Sequence, residues 1–151
     1  MRERIKQYKF GFCWQGFAAF ALVMLPNILW AVIPPQNDVL TAGISPIPVV
    51  DVLENVFRVL VFAALIFVVR KPPVASRKIW LWTAAACLVC YYALWILYFG
   101  GNVAFLVLLG MAVFPSMVFV ATALWRRNGI AFLCACGSGA LHLVHICFTF
   151  G

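Results

Sequence analysis

Five apolar stretches, each about as long as a membrane-spanning helix, alternate with short polar links along this chain. They cover approximately residues 10–33, 47–69, 79–99, 103–125 and 130–150. About 20 apolar residues in a helix cross the hydrocarbon core of a bilayer. Because 66% of the chain is hydrophobic and only 10% is charged, it has too few polar residues to cover a soluble domain. We therefore predict an all-α membrane bundle of five transmembrane helices, with residues 1–151 forming a single transmembrane domain.

The net charge of +7 is concentrated in three links. Ten of the eleven Lys and Arg residues lie within residues 2–9, 70–78 and 126–127, whereas residues 34–48 and 100–102 contain none. By the positive-inside rule, the N-terminus is predicted to be cytoplasmic and the C-terminus outside. A nucleic-acid-binding domain would instead spread basic residues over one surface. The expected partner is the lipid bilayer, and no nucleic acid is expected.

The first apolar stretch begins like a signal peptide, with basic residues before it. Its apolar run of about 24 residues exceeds the usual signal core of roughly 7–15, so we expect a retained helix. Pro26 is expected to kink this helix, and Asn27 to bond nearby backbone groups. The link 34–48 contains four prolines and is expected to be ordered. A rigid connector is the favoured interpretation, and a ligand lid is the alternative.

The second apolar stretch carries a stripe of polar residues. Asp51, Glu54, Asn55 and Arg58 are spaced i, i+3, i+4 and i+7, which places them on one face of a helix. A charge near the bilayer centre costs roughly 2.5–3.5 kcal/mol on insertion scales. Such residues pair with one another or line a cavity. The four are therefore the first candidate ligand-binding residues.

Polar and aromatic residues in three other stretches are predicted at the same depth. They are Asn27 in the first, Tyr91, Trp95 and Tyr98 in the third, and His142 and His145 in the fifth. Together with the charged stripe, they predict an outward-opening pocket with an aromatic wall. The alternative is a polar network that holds the helices together and binds nothing.

A metal site is a weaker alternative for the same residues. His142 and His145, with Asp51 and Glu54, would offer a mixed nitrogen and oxygen ligand set. The spacing of the two histidines alone is a weak signal, and no His-Glu-x-x-His motif is present. We expect no metal, and the sequence indicates no particular cofactor.

Three short segments carry a resemblance: LPNILW at residues 25–30, PPQND at 34–38 and ENVFR at 54–58. They resemble a family of small, uncharacterised bacterial multi-pass membrane proteins. The resemblance implies a bacterial inner-membrane location and brings no activity or catalytic residues. The aromatic-rich five-helix layout is also similar in architecture to the translocator-protein family, whose Trp- and Pro-rich signature is not recognisable here.

Three functions fit these features. The favoured one is binding of a small ion or amphipathic molecule, including an organic cation held by cation–π and ion-pair contacts, in the course of transport. The second is an intramembrane enzyme with His142 or His145 as base and Asp51 or Glu54 as its partner. The third is an accessory subunit of a larger membrane complex. We expect binding rather than catalysis, and a homodimer if the protein transports, because five helices enclose only a narrow path.

Overall fold

A computed structural model describes residues 7–41, 47–71 and 77–151. Those residues form five helices and one short two-stranded antiparallel ribbon, so the predicted all-α bundle is confirmed. In chain order, the elements are β1 (Tyr8–Phe10), α1 (Trp14–Val32), α2 (Pro48–Phe67), β2 (Val68–Arg70), α3 (Lys78–Phe99), α4 (Phe105–Trp125) and α5 (Gly129–Phe150).

Four of the helices, α1, α3, α4 and α5, are long and apolar enough to cross a membrane. Helix α2 is 20 residues long but is not among these four helices. It differs from them in carrying the charged residues Asp51, Glu54 and Arg58. Large hydrophobic side chains are exposed on the outer faces of the helices, as on a surface that contacts lipid tails. These features are those of a multi-pass membrane protein.

Two predicted helix ends are wrong. Residues 10–13 were expected in the first helix and residues 68–69 in the second. Phe10 instead lies in β1, Cys13 has an extended backbone just before α1, and residues 68–69 lie in β2. Phe10 pairs with Val68 in the ribbon, and the Cys13 amide donates to the Ile66 carbonyl at 2.7 Å. An apolar run cannot by itself distinguish the end of a helix from a short strand, and β-branched valines favour the strand.

Glycines let the helices approach closely at two interfaces. A Cβ at Gly16 of α1 would lie 2.1 Å from the Leu65 carbonyl oxygen of α2, and one at Gly137 of α5 would lie 2.6 Å from the Phe57 ring of α2. Small residues are the usual means of close packing between membrane helices. The contact at Gly137 packs α5 against α2, the helix that carries the charged stripe.

Asn128 joins three elements at one end of the bundle. Its side chain accepts from the Ala131 amide at 3.0 Å and so caps α5. Its amide nitrogen donates to the carbonyls of Ala64 at 2.9 Å and Val68 at 2.8 Å. Apart from Arg58, the Lys and Arg residues within the described ranges all lie at this basic end. Arg2, Arg4 and Lys6 lie outside those ranges.

Pro26 lies inside α1 without ending it. Proline has no amide N–H, so the carbonyl four residues earlier, that of Leu22, lacks its helical donor. The Tyr92 hydroxyl of α3 donates to this carbonyl at 2.8 Å. The Asn27 side chain donates to the Val23 carbonyl at 2.9 Å, which confirms the expected local role of Asn27.

Candidate functional site

The structure brings the acids of α2 and the histidines of α5 together in one cluster. Arg58 donates to Glu54 along α2, and the His142 Nδ1 atom lies 2.8 Å from Glu54 Oε1. The His145 Nδ1 atom lies 2.9 Å from Asp51 Oδ1 and 3.3 Å from Glu54 Oε2. Glu54 is only 3% exposed and is the centre of this group. We call these five residues the carboxylate–imidazole cluster.

The cluster has one formal negative charge when both acids are ionised and both imidazoles are neutral. One proton on an imidazole would cancel that charge, and charge balance matters where the surroundings are apolar. The hydrogen bond of 2.9 Å between His145 Nδ1 and Asp51 Oδ1 allows a proton to pass between imidazole and carboxylate. His142 Nδ1 lies close to Glu54 Oε1 but is not aligned with it for a hydrogen bond. Chemically, the cluster can therefore hold or exchange a proton.

Asn55, the fourth member of the predicted stripe, is exposed and lies beside the cluster. Its side-chain oxygen accepts from Arg58 NH1 at 3.3 Å. Asn55 therefore helps to orient the guanidinium group.

A cavity of about 220 Å³ lies between this cluster and the helices α1, α3 and α4. Its polar and aromatic lining comes from all five helices: Asn27, Arg58, Phe62, Tyr91, Trp95, Ser116, Phe119, Ser138 and His142. Arg58 and His142 are the two cluster members that reach the cavity. Glu54 contacts both of them but does not line the cavity. The two ionisable groups that face the cavity are therefore the guanidinium of Arg58, which is a cation and a hydrogen-bond donor, and the imidazole of His142, which becomes a cation when it is protonated.

The aromatic wall is built on α3, with Asn27 of α1 as its partner. Asn27 donates to the Tyr91 hydroxyl at 2.8 Å. The Trp95 ring packs edge-on against Tyr91, with ring centroids 6.3 Å apart. The buried Trp95 Nε1 has no hydrogen-bond partner among the described residues. Because buried donors are nearly always satisfied, this N–H is available to a ligand or a water molecule.

Tyr98 does not line the cavity, although it was expected in the aromatic wall. It is fully buried, and its hydroxyl donates to Asp38 while accepting from the Val39 amide at 3.1 Å. Asp38 also accepts from Trp30 Nε1 at 3.1 Å. Tyr98 therefore holds the link after α1 in place. Leu40, which follows Val39 in this link, lines the cavity.

Within residues 34–41 of this link, Asp38 accepts from Trp30, Tyr98 and the Leu40 amide, whereas residues 42–46 lie outside the described ranges. That the whole link is ordered stays a prediction. Sequence reasoning missed Asp38. The sequence feature that could have pointed to Asp38 is that an acidic residue lies within a proline-rich link. Burial raises the pKa of this carboxyl, but hydrogen bonds from Thr41, Tyr98, Trp30 and the Leu40 amide outweigh burial and lower the pKa to about 2.

The metal alternative gains no support. Among the described residues, no group of three or more His, Cys, Asp or Glu side chains could hold a metal ion. The His145 Nδ1 and Asp51 Oδ1 atoms bond directly to each other.

No protein-family model, curated protein or solved structure matches this chain. The resemblance seen in three short segments stays a prediction.

Proposed function

We propose that the protein is a five-span membrane protein that binds a small molecule or ion in the cavity beside the carboxylate–imidazole cluster, as one step of transport. The supporting observation is the meeting of Arg58 and His142 with Asn27 and Tyr91 in one cavity inside an apolar bundle. Ionisable groups in such surroundings are costly and usually mark a functional site.

Helix α2 serves as the fifth span in this proposal. Its outer face carries exposed Val52, Val56 and Val59, spaced i, i+4 and i+7 as on one helix face. Glu54 contacts Arg58 along α2 and His142 of α5, so the buried carboxylate is kept away from lipid, while the Arg58 side chain stays 43% exposed. The basic end then lies in the cytoplasm of a bacterial cell, and the cluster lies nearer the outside.

The size and lining of the cavity favour a particular class of ligand. Its volume of about 220 Å³ is below the roughly 300–1,000 Å³ of pockets for drug-sized ligands. The acids are occupied by Arg58 and the histidines, and they do not line the cavity. We therefore favour a ligand of few heavy atoms with an anionic or acceptor group, instead of the organic cation inferred from the sequence.

A proton step follows from the cluster geometry. An anionic group that engages Arg58 would compete with Glu54 for the guanidinium. Glu54 would then share a proton with His142, whose Nδ1 lies 2.8 Å away. Uptake of a proton together with the ligand keeps the buried charge balanced, which is the behaviour of a proton-coupled carrier.

Native mass spectrometry of gently extracted protein tests this proposal and reports the oligomeric state. We expect a reproducible bound mass in the wild type that is lost in Glu54→Gln and Arg58→Gln. Arg126→Gln removes the same charge at the basic end and should retain the ligand. A bare wild-type protein, or a bound mass that survives both cluster variants, would contradict the proposal.

An intramembrane enzyme is the second candidate, favoured by His142, which lines the cavity and whose Nδ1 atom lies 2.8 Å from Glu54 Oε1. This distance is within the reach required of a base and its partner acid. Chemical conversion of the bound molecule by wild type but not by His142→Gln, with binding intact, would select the enzyme. Co-purification of a stoichiometric partner with an empty cavity would select an accessory subunit.

A further inference from the structure

A second cavity lies at the basic end of the bundle, away from the carboxylate–imidazole cluster. Its volume is about 420 Å³, and three arginines line it: Arg70 of β2, Arg77 before α3 and Arg127 between α4 and α5. Tyr8 and Trp80 add aromatic rings. No Asp or Glu is among the described residues that line this cavity. Within the part of the chain that the structure describes, three positive charges thus face one space and no acid lines it.

Among the described residues, these guanidinium groups have few partners. Arg70 donates from NH2 to the neutral side chain of Gln7 at 3.2 Å, while its buried Nε has no hydrogen-bond partner in the described ranges. Over residues 7–41, 47–71 and 77–151, no acid lies within ion-pair distance of these three arginines. Adjacent like charges repel one another, and an anion held between them removes that cost. The planar guanidinium fork matches phosphate particularly well.

Arg127 occupies a position that normally selects glycine. The Asn128 amide donates to the Ala123 carbonyl at 2.8 Å and the Arg127 amide to the Leu124 carbonyl at 3.0 Å. This is the Schellman arrangement at the end of α4, in which the residue at the position of Arg127 is left-handed and usually Gly or Asn. Arg127 has φ of 49°. An arginine at such a position indicates that its side chain is needed there.

An apolar groove shares one lining residue, Trp80, with this cavity. Trp80 lines both the basic cavity and a groove of about 370 Å³ between α3, α4 and α5. The groove has an almost entirely apolar lining, including Met117, Val120 and Leu143. An anion-binding cavity next to an apolar groove matches a phosphate headgroup followed by an acyl chain.

We propose that the basic cavity binds the phosphate group of an anionic phospholipid, with one acyl chain in the adjoining groove. Basic pockets between helices at the cytoplasmic side of a membrane favour anionic headgroups, and Trp and Tyr are common at that interface. Free phosphate shares the headgroup chemistry but would make no use of the groove.

Lipid retention by the full chain, measured by native mass spectrometry from mixed phosphatidylglycerol and phosphatidylcholine nanodiscs, tests the assignment. We expect phosphatidylglycerol to be retained preferentially. Each arginine is expected to contribute roughly fivefold to the affinity for the lipid, so the triple variant R70Q/R77Q/R127N should bind phosphatidylglycerol about a hundredfold more weakly. The triple variant K71Q/K78Q/R126Q removes the same charge outside the cavity and should lose much less. Equal losses in the two variants would overturn the proposal, because general surface charge would then account for the binding.

Two further variants distinguish a bound phospholipid from a bound phosphate ion. Arg127→Gly suits the left-handed backbone, so it should keep or raise the melting temperature while lowering lipid retention about fivefold. Ala140→Phe fills the groove and should weaken lipid retention without changing the binding of inorganic phosphate. Displacement of the lipid by inorganic phosphate, with no effect of Ala140→Phe, would overturn the lipid assignment. Unchanged retention in Arg127→Gly would also contradict it.

Discussion

The Nδ1 atom of His145 lies 2.9 Å from Asp51 Oδ1, a contact that joins α5 to α2 across 94 positions of sequence. Both side chains are partly buried. The contact therefore ties together the two helices that carry the carboxylate–imidazole cluster, and its strength can be measured directly.

A double-mutant cycle with Asp51→Asn and His145→Gln should give a coupling energy of about 0.6–1.7 kcal/mol, the range found for polar pairs in membrane helices. The free energy of unfolding in mixed detergent micelles is the quantity to measure. A parallel cycle with Asp51 and Arg126 should give no coupling, because Arg126 lies at the other end of the bundle. Additive effects in the first cycle would show that the contact contributes nothing to stability.

Gly16→Ala should destabilise the protein by about 1–3 kcal/mol. The added Cβ would meet the Leu65 carbonyl oxygen at 2.1 Å, so α1 would have to move away from α2. Gly11→Ala is the matched control, since its Cβ would make only an ordinary contact of 3.6 Å with Val69. Equal melting temperatures for the two variants would argue against the close approach of α1 and α2.

Asn128→Ala should lower the free energy of unfolding by about 1–3 kcal/mol, because it removes a helix cap and leaves two buried carbonyls without their donor. The comparison is Asn102→Ala, which removes a single exposed bond to the Ala104 amide and should cost under about 1 kcal/mol. Chemical denaturation of both variants measures the difference. A larger loss in Asn102→Ala would contradict the role assigned to Asn128.

The stability that Asp38 contributes should depend on pH in a defined window. Its pKa is lowered from an ordinary 3.8 to about 2 in the folded protein. The folded state therefore binds the proton less readily than the unfolded state, so the contribution is complete above about pH 4 and is lost as pH falls toward 2. Melting temperature against pH, for wild type and Asp38→Asn, should differ most above pH 4 and converge near pH 2. Parallel curves would show that Asp38 does not titrate in this way.

The effect of Tyr92→Phe should depend on Pro26. The Tyr92 hydroxyl donates to the Leu22 carbonyl, which has no helical donor because Pro26 lacks an amide N–H. Tyr92→Phe should therefore lower the free energy of unfolding by about 0.5–1.5 kcal/mol. In a Pro26→Ala background, the restored amide would occupy that carbonyl and the cost should largely disappear. Unfolding free energies of the four variants measure this, and an unchanged cost in the Pro26→Ala background would exclude the compensation.

Much of the bundle could be predicted because each helix is encoded locally. The apolar runs around α1, α3, α4 and α5 have the length and hydropathy of membrane spans, and the i, i+3, i+4, i+7 spacing places Asp51, Glu54, Asn55 and Arg58 on one face. The ribbon was not predictable in the same way. Its strands form only because residues far apart in sequence, such as Tyr8 and Arg70, pair with each other.

For the candidate site, the sequence by itself determined which groups must avoid lipid, because burying a charge in an apolar bundle is costly whatever the packing. Only the tertiary structure decided how those groups are matched: His145 with Asp51, His142 beside Glu54, and Tyr98 with the link after α1. Local spacing sets the face of one helix. The partner of that face depends on where glycines such as Gly137 let another helix approach, and that is a property of the whole packed bundle.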